Sequence, residues 1–214
     1  MAESVKRTYS SELRSAQARG TRRSIVSAAS RLFVDRGYGA TTIDTIATAA
    51  GVSRKTVFSA VGGKVDLLEL AVEWAVAGDD EPVAVLDREL MRNVLGETDP
   101  AGLLGGWAAV TASIDTRTAR LFQALEIAAG TDAQARALAD RFERQRLDGA
   151  RRIVDRLASL GALTRELKRR EAIDLAWLST DPVLYDRLVL ARGWSANRFA
   201  QWLAQDLCCQ LLAG

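Results

Sequence analysis

The stretch from Thr41 to Lys64, TTIDTIATAAGVSRKTVFSAVGGK, constrains the fold most, because its apolar residues follow a helical period that a single glycine interrupts. Ile43, Ile46, Ala47 and Ala50 fall on one face of a first helix and should be buried. Thr41, with Asp44 three residues on, is the expected start signal. Gly51 should end this helix, since glycine enters a left-handed turn without steric cost. Ser53 is placed to cap a second helix, and Val52 to pack on Val57 one turn inside it. Gly62 and Gly63 close the second helix, and Lys64 opens the next.

On the second helix Val57 and Val61 face inward, which leaves Arg54, Lys55, Thr56 and Ser59 pointing outward near its N-terminal end. Exposed donors at the tip of a rigidly held short helix are what reading a DNA major groove requires. At Lys64 a cation coincides with the N–H groups of a helix start, a pairing suited to phosphate. A surface helical hairpin with solvated charges has the same local pattern, so the wider context has to decide.

That context is the run Phe33-x-x-x-Gly37-Tyr38-x-x-Thr41-Thr42-x-x-x-Ile46-Ala47-x-x-Ala50-Gly51-Val52-Ser53-x-x-Thr56-Val57-Phe58, followed by Lys64 and Leu67-Leu68. It closely resembles the DNA-binding domain of the tetracycline-repressor (TetR) family of transcription regulators. The remainder resembles that family in helix layout and in the phrase TDPVLYDRLVLARGWSANRFAQWL. Two residues depart from the pattern. Phe58 stands where the family usually has Tyr, so a phosphate hydrogen bond is missing, and Val61 stands where a larger aromatic is common.

The resemblance implies an all-α protein: an N-terminal three-helix DNA-binding domain with a helix-turn-helix, and a C-terminal helical ligand-binding and dimerisation domain. Carried onto this sequence and joined to the outward face of the second helix, it puts Thr42, Ser53, Arg54, Lys55, Thr56, Phe58, Ser59 and Lys64 at DNA. It also implies that the helix from Lys64 links the DNA-reading domain to the rest, its tilt setting where the recognition helix points.

Composition agrees with an ordinary globular chain. With 214 residues, 48% hydrophobic and 26% charged, there is enough apolar surface for one or two cores. Only three prolines, all outside the periodic stretches, favour helices throughout. Charge is uneven: residues 1–77 carry 11 Lys/Arg against 7 Asp/Glu, whereas 78–214 carry 18 against 20. The basic excess thus sits with the helix-turn-helix, as phosphate binding requires. No early apolar run suggests a secretion signal and no segment suggests a membrane span, so the expected location is cytoplasmic. Cys208 and Cys209 are adjacent and cannot staple distant parts of one chain; they read as small core residues, with a redox switch across a dimer as the alternative.

Along the chain, residues 1–18 read as a flexible basic arm with Lys6, Arg7 and Arg14. Residues 19–63 form the helix-turn-helix domain, 64–77 the connecting helix, and 78–214 the helical regulatory and dimerisation domain. Within the last, helices are expected over 83–95, over an apolar segment 101–114, over about 117–129, and over about 132–160 as the longest. Two late helices with large apolar residues suit a two-fold interface, with Trp177, Leu184, Phe199, Trp202 and Leu203 as its candidates, although plain core is the other reading. Trp107, Thr111, Phe122, Glu126, Phe142, Arg146 and Trp177 are candidates for a ligand pocket between helices.

Catalytic chemistry finds no foothold. The chain has no histidine, which removes the commonest general base and metal ligand, and two adjacent cysteines make a zinc site a poor fit. No phosphate-binding glycine loop, dinucleotide fingerprint or nucleophile elbow occurs. No catalytic residue, metal site or cofactor is assigned. The expectation is a homodimeric regulator, a repressor on a palindromic operator that an unknown small-molecule effector releases. A ligand-independent regulator or activator, and a helical enzyme carrying a DNA-binding-like motif, are the alternatives.

Overall fold

The computed structural model describes residues 2–81 and 88–213, and side chains from Ser15 onward. The chain divides into two compact units, one ending at Glu73 and the other beginning at Trp74. The division falls inside the helix expected to connect the domains.

The first unit holds α1 (Ala2–Ala40), α2 (Ile43–Ala50), α3 (Arg54–Ala60) and the start of α4 (Lys64–Ala77). Residues 2–18, expected as a flexible arm, continue the backbone of α1. An apolar period is not needed for a helix here, because Ala16, Gln17 and Ala18 are good helix formers and adopt the conformation while exposed. The α1 helix breaks at Gly37 (φ 75°). Its apolar stripe of Ile25, Val26, Ala29 and Phe33 is buried, and α2 and α3 both pack on α1.

The start signal of α2 is one residue later than the spacing predicts. Thr42, not Thr41, is the cap: its hydroxyl accepts from the N–H of Thr45, whose own hydroxyl accepts from the N–H of Thr42. Such a cap is worth about 0.5–2 kcal/mol. Thr41 is instead fully buried and donates to the carbonyls of Leu32 (3.0 Å) and Gly37 (2.8 Å), tying the turn back onto α1. Gly51 takes the left-handed conformation (φ 67°, ψ 32°), and the N–H of Val52 returns to the Ala47 carbonyl.

The second unit is built around α6 (Pro100–Ala129), against which α5 (Glu89–Gly96), α7 (Ala133–Ser159), α9 (Pro182–Tyr185) and α10 (Ala196–Leu211) pack; α8 (Arg169–Ser179) packs on α7 and α10. The two helices expected over 101–114 and 117–129 are thus one. Nothing between Ile114 and Arg117 breaks a helix, and the hydroxyls of Thr116 and Thr118 fold back to the carbonyls of Ala112 and Ile114. The helix expected over 83–95 is described only from Glu89; residues 82–87 lie outside the described residues. Beyond α9 the chain makes a π-helical turn, Asp186–Ala191. Leu103, Leu104, Ile153, Leu157, Phe199, Leu203 and Leu207 form the centre of the core.

Among the described residues no helix is long and apolar enough to cross a membrane. Cys208 is half-buried and Cys209 exposed, so the reading of both as core residues fails for Cys209. Burial pushes the Cys208 thiol up, away from the thiolate that a redox switch needs.

Candidate functional site

The short α3 helix is fixed at both ends. Ser53 accepts the N–H of Thr56 at 3.0 Å, and the two hydroxyls lie 2.8 Å apart. Val57 is fully buried, pinning the inner face. Consequently Ser53, Arg54 and Lys55 are exposed and Thr56 half-buried at the N-terminal end of a seven-residue helix, and Phe58 and Ser59 are exposed one turn further on. Phe58 is 47% exposed, an apolar ring at the surface beside these polar side chains. Thr42 is exposed at the N-terminus of α2.

Arg54 does not project alone. Its guanidinium reaches Asp44 on α2 at 3.1 Å and lies 5.7 Å from the centroid of the Phe58 ring. Lys64 sits at the first residue of α4, with its ammonium 3.9 Å above the ring of Tyr38. That contact orients the cation beside the turn closing α3. There the carboxylate of Asp66 accepts the N–H of Gly63 at 2.7 Å. Gly62 takes a φ of 127°, a conformation strained for any residue with a side chain, and an added Cβ would also push on that carboxylate.

The candidate pocket residues separate in the structure. Phe122, Glu126, Phe142 and Arg146 line one cavity of about 400 Å³ in the second unit. Trp107 and Thr111 are instead buried on α6, Trp107 within the hydrophobic core. Helical spacing shows which residues are apolar but not which face meets a gap, so it does not separate these two from the residues that line this cavity. Trp177 stays outside the lining; the guanidinium of Arg146 lies 5.5 Å from its ring. The cavity also takes Glu143 from α7, and Asp181, Val183 and Asp186 from α9 and its flanks. These acidic residues were not singled out from the sequence; Asp181-Pro182 was legible as a helix start, and its side chain caps Val183 at 2.9 Å.

Asp115 was also missed, for want of any local motif. It is 3% exposed on α6, and its Oδ2 meets no hydrogen-bond donor among the described residues. Burial pushes its carboxyl up to about 8, against the pull of Arg146 and with a further push from Asp181.

The interface candidates also divide. Phe199 and Leu203 are buried in the chain's own core and offer no surface to a partner. They fill that role because their spacing places them on the inner face of α10, against α6. Trp177, Leu184 and Trp202 are half-buried, whereas Leu178 (54%) and Leu190 (41%) are exposed.

Residues 25–71 match the family model of bacterial regulatory proteins of the tetR family. A comparison with curated protein sequences gives no match. Solved structures similar to the chain include the fatty acid degradation regulator FadR from Bacillus halodurans, at TM-score 0.68 and 16% identity over 87% of this chain and 94% of that one. NalD, the secondary repressor of the MexAB-OprM multidrug efflux pump in Pseudomonas aeruginosa, gives TM-score 0.68 and 20% identity over 91% and 98%. A Rhodococcus sp. protein assigned as a TetR-family transcriptional regulator gives 0.68 and 14% over 88% and 97%. Residues 25–71 are thereby placed in the tetR family of bacterial regulatory proteins, and the chain as a whole takes the fold of that family's transcriptional regulators.

Proposed function

We propose that the chain is a sequence-specific transcription regulator, a repressor that holds a palindromic operator as a homodimer and leaves it when a small molecule occupies the second unit. The observation that carries this reading is the α3 tip. A seven-residue helix capped by Ser53 and pinned by Val57 presents Arg54, Lys55 and Ser59 outward, within the segment that matches the tetR family.

In this reading Arg54 and Lys55 address base edges, while Thr42, Ser53, Thr56, Ser59 and Lys64 address phosphates, and Phe58 packs against the sugar-phosphate backbone. A single α3 reads too few base pairs, so two copies about 34–36 Å apart are needed. Release follows from differential affinity: the effector must prefer a dimer whose recognition helices no longer match the groove. The repressor direction leans on the likeness to NalD, itself described as a repressor.

The test is the affinity of an Arg54→Ala/Lys55→Ala double variant for the duplex that the native protein selects. Specific binding should fall by at least a hundredfold, to the level of unrelated DNA, with the helical circular dichroism unchanged. Unaltered affinity would overturn the assignment of α3 as the reading helix.

A further inference from the structure

The cavity has a strong charge asymmetry. Glu126, Glu143, Asp181 and Asp186 stand on its wall against one cation, Arg146. That arginine is turned into the protein: it donates to the Thr180 carbonyl at 3.0 Å, approaches Glu143 at 3.8 Å and is 17% exposed. The apolar part of the wall is an edge-to-face pair, Phe122 and Phe142, with centroids 5.5 Å apart.

Asp115, Ala119, Phe122 and Glu126 follow the i, i+4, i+7, i+11 stripe of α6, so the buried carboxyl lies one turn below the lining residues on the cavity-facing side. Its two charged neighbours, Arg146 and Asp181, are both wall residues. A nearly sealed carboxyl, held neutral by its burial and with one oxygen unpartnered, has a hydrogen-bonding site left unused one turn from the cavity lining.

We propose that this cavity binds a small organic cation, with the aromatic pair against its apolar body and the wall carboxylates, with Asp115 beneath them, around its charge. An anion would enter against four carboxylates, with Arg146 already engaged. A neutral apolar molecule would leave the Asp115 oxygen unmatched. A cation gains from the four wall carboxylates and can donate to the unpartnered Asp115 oxygen, while the aromatic pair gives its apolar body a surface to lie against. The assignment rests on the effector reading above for its biological use, but not for the binding itself.

Calorimetry on the full-length protein without DNA tests it, using two probes of the same shape and opposite charge, tetraphenylphosphonium and tetraphenylborate. The phosphonium should bind one per chain and at least tenfold more tightly than the borate. A Glu126→Gln/Glu143→Gln variant, altered only at exposed positions, should lose about tenfold for the phosphonium and nothing for the borate. Equal or tighter borate binding, phosphonium binding indifferent to the two glutamines, or no binding of either probe would each overturn the proposal. Phosphonium binding as expected but without release of the protein from its selected duplex would leave the cation site standing and overturn the effector reading.

Discussion

The guanidinium of Arg54, in the first turn of α3, is held 3.1 Å from the carboxylate of Asp44, in the first turn of α2, although both side chains are more than half exposed. An exposed pair of this kind contributes little stability, about 0–1 kcal/mol. In the proposed reading its consequence is for recognition, because Asp44 places a negative charge beside a cation that we assign to DNA. Asp44→Asn should leave the melting temperature within a degree or two. It should tighten binding to all duplexes severalfold at low salt, with less effect at high salt. Fluorescence anisotropy across a salt series checks this, and weaker binding in Asp44→Asn would mean that the pair positions Arg54 rather than competing for it.

Lys64 lies over Tyr38 rather than extended into water. Lys64→Ala should weaken binding to every sequence alike and lower the salt slope by about one. A loss confined to one sequence would place the ammonium at a base edge instead of a phosphate.

Phe58 offers the converse experiment. Its ring is 47% exposed, and in the proposed reading a hydroxyl on it would reach a phosphate. Phe58→Tyr should gain about 0.5–1.5 kcal/mol of DNA binding, a few-fold to about tenfold in affinity, without altering specificity. No gain would mean that this ring does not face the backbone of bound DNA.

These surface residues were legible because the chemistry is local. Gly51, Ser53 and the spacing of Val57 determine the turn, the cap and the inner face within a dozen residues, so the outward side chains followed. The miss at Thr41 is of the opposite kind: its hydroxyl partner Leu32 is nine residues away on another helix, and spacing alone cannot distinguish a buried Thr from its capping neighbour. The same holds at larger scale in the second unit. Asp115, Asp181 and Asp186 converge only once α6 and α9 pack, while Phe199 and Leu203 differ from a partner-facing pair only by which face of α10 turns inward.

The buried Asp115 makes stability depend on pH. Its carboxyl, ordinarily near 3.8, rises to about 8 in the folded chain, so between those values the folded state holds more protons than the unfolded one. Stability contributed by this group is therefore complete below the lower value, declines by at most about 1.4 kcal/mol per pH unit through the interval, and levels off above the upper one. Arg146 on α7 and Asp181 before α9 are the charged groups that modulate it. Asp115→Asn should melt several degrees higher than the native protein at pH 8, the gap closing toward pH 4. A gap independent of pH would show that the carboxyl is ionised throughout.

Leu178 and Leu190 are the large apolar side chains that α8 and the π-helical turn leave in water. Leu178→Asp/Leu190→Asp should elute as a monomer on size exclusion with its helical signal intact. A surviving dimer would move the interface to another face. The same charges at Phe199 or Leu203 should unfold the second unit, since both are buried in its core.

The central claim is that the chain reads a DNA sequence as a two-fold dimer. Selection of bound duplexes from a random pool by the purified protein, at near-physiological salt, measures it most directly. The predicted result is a palindrome whose half-sites are one helical turn apart, lost in the Arg54→Ala/Lys55→Ala variant. Recovery of sequences with no shared motif from well-folded protein would contradict it.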